Sequence, residues 1–163
     1  MKEITEKIRD IAAQLLESGQ VDLVLAWEKG DLPYQTRPFI ARTIEDVKRI
    51  VFDEYSIHSL VKAALRFRDG QEKMAIVVKG CDSRALIRLL EDKQLSRERI
   101  YIIGVGCPGM KDPLKAMRQH SGFPKESNEE TWASKCTQCR YPNPVIYDVL
   151  VGEEQPPRLQ GER

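Results

Sequence analysis

Apolar residues recur in this chain with two spacings, and the order in which the spacings alternate predicts the elements. From residue 3 to 17, Ile4, Ile8, Ile11, Ala12 and Leu15 fall on one helical stripe with charged residues opposite, and Gly19 supplies a stop. Val21 to Trp27 reads as a strand, followed by a polar loop, Glu28 to Thr36, that contains Gly30 and Pro33. Arg37 to Arg42 is a short extended piece. Thr43 is then an N-cap with Asp46 at the third helical position, which predicts a helix from Ile44 to Val51. A further helix carries a stripe of Ile57, Leu60, Val61, Ala64, Leu65 and Phe67, placing His58 on it as a structural residue, and ends before Asp69-Gly70.

The stretch from Met74 to Pro108 organises the rest. Met74 to Lys79 and Ile100 to Val105 are short runs rich in Ile and Val, closed by Gly80-Cys81 and by Gly106-Cys107-Pro108. Between them Ala85, Leu86, Leu89 and Leu90 lie at helical spacing. A strand, a crossover helix and a parallel strand follow, so Cys81 and Cys107 emerge side by side at the carboxyl edge of the sheet, where open α/β sheets place ligands. The fold class is α/β, a mainly parallel sheet with flanking helices and its site at that edge. Beyond Pro108 a helix-like MKDPLKAMRQH leads to a polar segment, Ser121 to Ser134, expected to be a long loop or a flap over the site. The run after Cys139 is extended and proline-rich. Residues 1–151 form one domain on this reading, and residues 152–163 a solvated, flexible tail.

Composition narrows the class of function. With 26 basic and 25 acidic residues among 163 the net charge is +1, and nothing predicts a nucleic-acid or anionic-membrane surface. No apolar run approaches the roughly 18 residues of a spanning helix, and MKEITEKIRD lacks the layout of a signal peptide. A cytoplasmic protein without membrane insertion is expected. In a reducing cytoplasm four cysteines are better metal ligands or redox thiols than structural disulfides.

Cys136 and Cys139 form a Cys-x-x-Cys, and with Cys81 and Cys107 they complete a four-thiol set for one metal centre. Iron–sulfur clusters commonly take four Cys thiolates. Zinc uses the same donors, but structural zinc ribbons carry two Cys-x-x-Cys knuckles, whereas two of the ligands here come singly from strand ends. Thiol exchange by Cys136 and Cys139 is the third option, and it leaves the other two thiols unused. Gly80 and Gly106 would let backbone approach a cluster. Lys79, Asp82 and Arg84 surround the first ligand at a helix N-terminus and would favour an anionic cluster or a cofactor phosphate. Asp82 as a plain N-cap, with Lys79 and Arg84 solvated, is the simpler alternative. Trp132 and Tyr141 flank the pair as packing residues. No nucleophile and base pair and no phosphate loop stands out, so no catalytic residue is assigned.

At KGCDSRAL (Lys79 to Leu86), IGVGCPGM (Ile103 to Met110) and CTQCRYPNPVIYD (Cys136 to Asp148) the chain resembles the iron–sulfur electron-transfer proteins related to the beta subunit of coenzyme F420-reducing hydrogenase and dehydrogenase. The resemblance runs from about Val21 to Val151. It implies a 4Fe-4S cluster on Cys81, Cys107, Cys136 and Cys139, and electron transfer inside an anaerobic oxidoreductase such as a hydrogenase, a formate dehydrogenase or a heterodisulfide-reductase-like complex. Ferredoxin-like or flavoprotein subunits are the implied partners. The related subunits also bind flavin and reduce a deazaflavin. FAD or FMN is therefore an alternative cofactor, although their flavin residues find no match here and no GxGxxG occurs.

Overall fold

The computed structural model describes residues 1–120 and 131–157. Helix α1 (Lys2–Glu17) buries Ile8, Ala12 and Leu15, the inner part of the expected stripe, and Gly19 follows its C-cap Ser18 with a φ of +70° that suits a residue without a Cβ. Strand β1 (Leu23–Lys29) is buried over all but its last residue, and β2 (Thr36–Ala41) pairs with it antiparallel from Val24 to Lys29.

Two elements differ from their sequence reading. Thr43 does cap a helix, with its hydroxyl accepting the Asp46 N–H, but α2 (Ile44–Val47) is one turn long. Ile50 and Val51 instead form β3 (Ile50–Val51), antiparallel to Trp27 and Glu28 of β1. Both are β-branched, and Arg49 just before them bonds the Glu28 carboxylate, which Arg37 of β2 also bonds from the other side. The second helix is likewise short, α3 (Val61–Ala64) with a 3-10 turn from Leu65 to Phe67. His58 lies in the loop before it, where its carbonyl accepts the Trp27 indole N–H at 2.9 Å.

The central unit follows the expected plan. Strand β4 (Met74–Val78), α4 (Gly80–Glu91) and β5 (Ile100–Val105) form a parallel pair with its crossover helix, Met74 lying opposite Ile100 and Val78 opposite Gly104. Helix α5 (Pro113–His120) follows, then α6 (Ser134–Thr137) and β6 (Val149–Val151), parallel to β5. The strand order is β2-β1-β4-β5-β6, with β3 also on β1. All five residues of β4 are buried, as a continuous apolar run covered on both faces should be. Helix α1 packs on β1, β4 and β6, and α4 packs on β4 and β5.

One feature of the register positions the site. Strand β1 pairs with β4 only from Leu23 to Leu25, and from Trp27 onward its neighbour on that side is β3. Strand β4 continues beside β5. The sheet therefore forks above Ile76, and the segment after β3 is carried to the carboxyl end of β4. No helix among the described residues is long and apolar enough to cross a membrane.

Candidate metal centre

The carboxyl ends of β4 and β5 deliver Cys81 and Cys107. Cys81 sits one residue inside α4, because the helix begins at Gly80 rather than after the cysteine. Cys107 lies two residues beyond β5, 8% exposed, and its N–H donates to Pro142 O at 3.2 Å.

The Cys-x-x-Cys reaches the same edge by backbone pairing. Met110 O accepts the Ala133 N–H at 3.0 Å, Asp112 N–H donates to Thr131 O at 2.7 Å, and Lys111 and Trp132 form an antiparallel bridge. Lys111 N–H in turn donates to Glu54 O at 2.7 Å, tying this pairing to the segment after β3. Helix α6 then starts at Ser134, and the Lys135 ammonium donates to Ile57 O at 2.8 Å. Residues 121–130, most of the expected flap, lie outside the described residues.

The result is a cavity of about 60 Å³ lined by all four cysteines, by Lys79 and Gly80 from the β4–α4 junction, by Gly109 and Met110, and by Lys135 and Pro142. A single water occupies ~10–15 Å³ on this scale, so the space suits a body several atoms across. Among the described residues no group of three or more His, Cys, Asp or Glu side chains comes together tightly enough to hold one metal ion. The thiols ring the space rather than converge on a point.

Two consecutive amides address the sulfurs. Met110 N–H donates to Cys136 Sγ at 3.4 Å, and a hydrogen bond from the Gly109 backbone favours the Cys107 thiolate. Gly109 has φ +106°, a backbone conformation that disfavours side chains, and it is this turn that presents both amides. Sequence reasoning missed these two residues. Pro108-Gly109 was the available signal, a turn dipeptide directly after a candidate ligand.

All four cysteines are thiols. Burial pushes Cys107 up to about 11. Burial, then the Asp82 carboxylate, also pushes Cys81 up, though the residue keeps an exposed flank. Cys136 is 8% exposed and Cys139 half-buried, so the set has an inner pair, Cys107 and Cys136, and a rim pair, Cys81 and Cys139. Binding a metal here would release the thiol protons, since the ligand form of cysteine is the thiolate.

The remaining candidates divide. Lys79 is 1% exposed, not solvated, and lines the cavity. Asp82 accepts the Lys79 N–H at 3.2 Å and pairs with its ammonium at 3.0 Å, so it caps α4 and holds a buried charge at once. Arg84 turns from the cavity. Its guanidinium donates to Gly80 O at 2.8 Å and to Tyr141 O and Asn143 O at 3.4 Å, and lies 5.2 Å from the Tyr141 ring centre. The close approach that the two glycines permit is to protein backbone. A Cβ on Gly80 would stand 2.5 Å from Tyr141 O, and one on Gly106 would stand 2.1 Å from Glu153 O. Gly106 does not line the cavity.

The model of the family described as "Coenzyme F420 hydrogenase/dehydrogenase, beta subunit N-term" matches residues 8–66, a segment that precedes all four cysteines. The F420-dependent formate dehydrogenase 1 subunit beta of Methanococcus maripaludis is 31% identical over 103 residues, which cover 63% of this chain and 27% of the relative. The F420-dependent formate dehydrogenase subunit beta of Methanocaldococcus jannaschii is 30% identical over 105 residues, 64% of this chain and 27% of the relative. The chain thus spans about a quarter of the length of these relatives. A chain of the xenon-derivatised F420-reducing [NiFe] hydrogenase complex from Methanosarcina barkeri shares the fold, with a TM-score of 0.56 at 21% identity, over 74% of this chain and 46% of that one.

Proposed function

Because the chain is related to the beta subunits of coenzyme F420 hydrogenase and dehydrogenase, we propose that it is an electron-transfer unit of an oxidoreductase complex, holding one 4Fe-4S cluster on Cys81, Cys107, Cys136 and Cys139. The observation that carries this reading is the single cavity on which all four thiols open. Four thiolates suit a cubane, and the cavity is larger than one ion requires. When bound, such a cluster supplies reversible one-electron transfer.

The chain's own residues then have separable tasks. The inner thiols, Cys107 and Cys136, anchor the cluster away from water, and the amides of Gly109 and Met110 offset negative charge on their sulfurs. The rim thiols, Cys81 and Cys139, form the edge through which an electron enters or leaves. Lys79 and Gly80 contribute wall, while Asp82, Arg84 and Gly106 act behind it by holding the α4 N-terminus and the segment after Cys139. Ferredoxin-like or flavoprotein subunits are the partner class, and a reducing, cytoplasmic setting suits four thiols.

The test is a visible spectrum with iron, acid-labile sulfide, zinc and flavin quantified on protein purified without oxygen. About four irons and four sulfides per chain are expected, the content of one cubane. A colourless protein with one zinc would overturn the reading and make the thiols a structural clasp. Bound flavin without iron would overturn it in favour of a subunit reducing a carrier such as a deazaflavin.

A further inference from the structure

We propose that the buried Lys79–Asp82 pair is a fixed dipole that sets the reduction potential of the centre, Lys79 raising it and Asp82 lowering it. The inference rests on the cluster reading above. Its starting point is a pair that stability does not account for. Lys79 is 1% exposed and Asp82 2%, and their charged atoms lie 3.0 Å apart. Burying two ions costs several kcal/mol each, and apolar residues of similar volume often serve a core as well or better. Capping α4 needs only the carboxylate that accepts the Lys79 N–H. The ammonium needs another reason.

Its position is over-determined. The Nζ donates to Ser56 O at 2.8 Å and to His58 O at 3.4 Å, pairs with Asp82, and lies 4.1 Å from the centre of the Trp27 ring. The ammonium thus has two hydrogen bonds, one ion pair and one aromatic face around it. A lysine is ordinarily a mobile surface charge. This one is held still in the wall of the cavity.

Its field reaches the thiols. Lys79 lines the same cavity as the four cysteines, and the Asp82 carboxylate, next to Cys81 in the chain, lies 3.0 Å behind its ammonium. The two ends of the pair therefore act on the cavity with opposite signs. Reduction adds one electron and one negative charge to a cluster, with no bond formed or broken. A buried cation stabilises the reduced form, a buried anion destabilises it, and low dielectric strengthens both effects. Lys135, the other ammonium on the wall, belongs to an exposed residue and is screened by water.

The experiment is an EPR-monitored redox titration, with dithionite as reductant, of the protein carrying its measured iron and sulfide. Wild type is compared with Asp82→Asn, Lys79→Gln and Lys79→Arg. Asp82→Asn keeps the acceptor for the Lys79 N–H and is expected to ease reduction at least tenfold, about 59 mV upward for one electron. Lys79→Gln is expected to move it downward by a similar factor, and Lys79→Arg to stay near wild type. Shifts of the same sign in Asp82→Asn and Lys79→Gln, or an unmoved potential in Asp82→Asn with iron intact, would overturn the proposal. If Lys79→Gln fails to fold, the sign of the Asp82→Asn shift decides alone. Wild-type protein without iron would instead end the cluster reading, and this inference with it.

Discussion

The two pairs of cysteines reach one cavity by different physics. Cys81 and Cys107 follow the ends of neighbouring parallel strands, so a five-residue ladder and a wholly buried β4 fix their separation. Cys136 rides on a single-turn helix and Cys139 follows two residues beyond its end, the helix being held by the pairing of residues 110–112 with 131–133 and by Lys135. The first pair is positioned by a continuous strand ladder, and the second by a handful of hydrogen bonds between loop segments. Opening of the site should therefore begin at the second pair, because local unfolding draws on regions with few buried contacts.

The largest effect expected is at the thiols. Cys107→Ser and Cys136→Ser should drop iron to well under half of wild type, about four per chain, with the rim variants Cys81→Ser and Cys139→Ser losing less. Iron and sulfide assay reads this directly, and full retention in Cys81→Ser or Cys107→Ser would make that strand-end residue core and break the comparison.

Next come the glycines where the two regions touch. Gly106→Ala sets a Cβ 2.1 Å from Glu153 O and should cost ~1–3 kcal/mol by overpacking. Gly80→Ala meets Tyr141 O and Pro142 at 2.5 to 2.6 Å, but regains about 1 kcal/mol of helix propensity, so its thermal midpoint should fall less. A smaller change is expected for Lys135→Met. It removes one hydrogen bond to Ile57 O, worth ~1 kcal/mol, and should speed amide exchange in residues 131–139 about fivefold while β4 and β5 keep their protection.

The smallest lies outside both regions. The Asp46 carboxylate is held below its usual range, first by the Arg42 N–H and then by its contacts with Thr43. A depressed folded-state pKa contributes stability above the ordinary carboxylate range, and this is lost as pH falls through the folded value. Asp46→Asn should therefore slightly shrink the drop in melting temperature between neutral and acid pH, without changing iron content.

Legibility followed the same divide. Strand β5 matches its sequence reading to the residue and β4 to within one, because a buried apolar run between glycines has few other ways to fold. The helix expected over Ile44 to Val51 was too long. Its last residues pair with Trp27 and Glu28, and a partner more than twenty residues away leaves no local mark. His58 was misplaced for the same reason, since its carbonyl serves Trp27 and Lys79 across the fork. Gly80 and Gly106 carry a packing role that the local sequence does not show. Both do permit close approach, but of chain 47 to 61 residues downstream.

Residue types and local periodicity determined the parallel unit and the carboxyl edge that presents Cys81 and Cys107, because burial and spacing leave direct signatures in sequence. The tertiary structure alone decided that residues 110–112 capture 131–133, that two amides face sulfur, and that Lys79 lies buried against Asp82 and Trp27. Those contacts join segments far apart in the chain, and their energies exist only once the sheet has forked and folded the segments together.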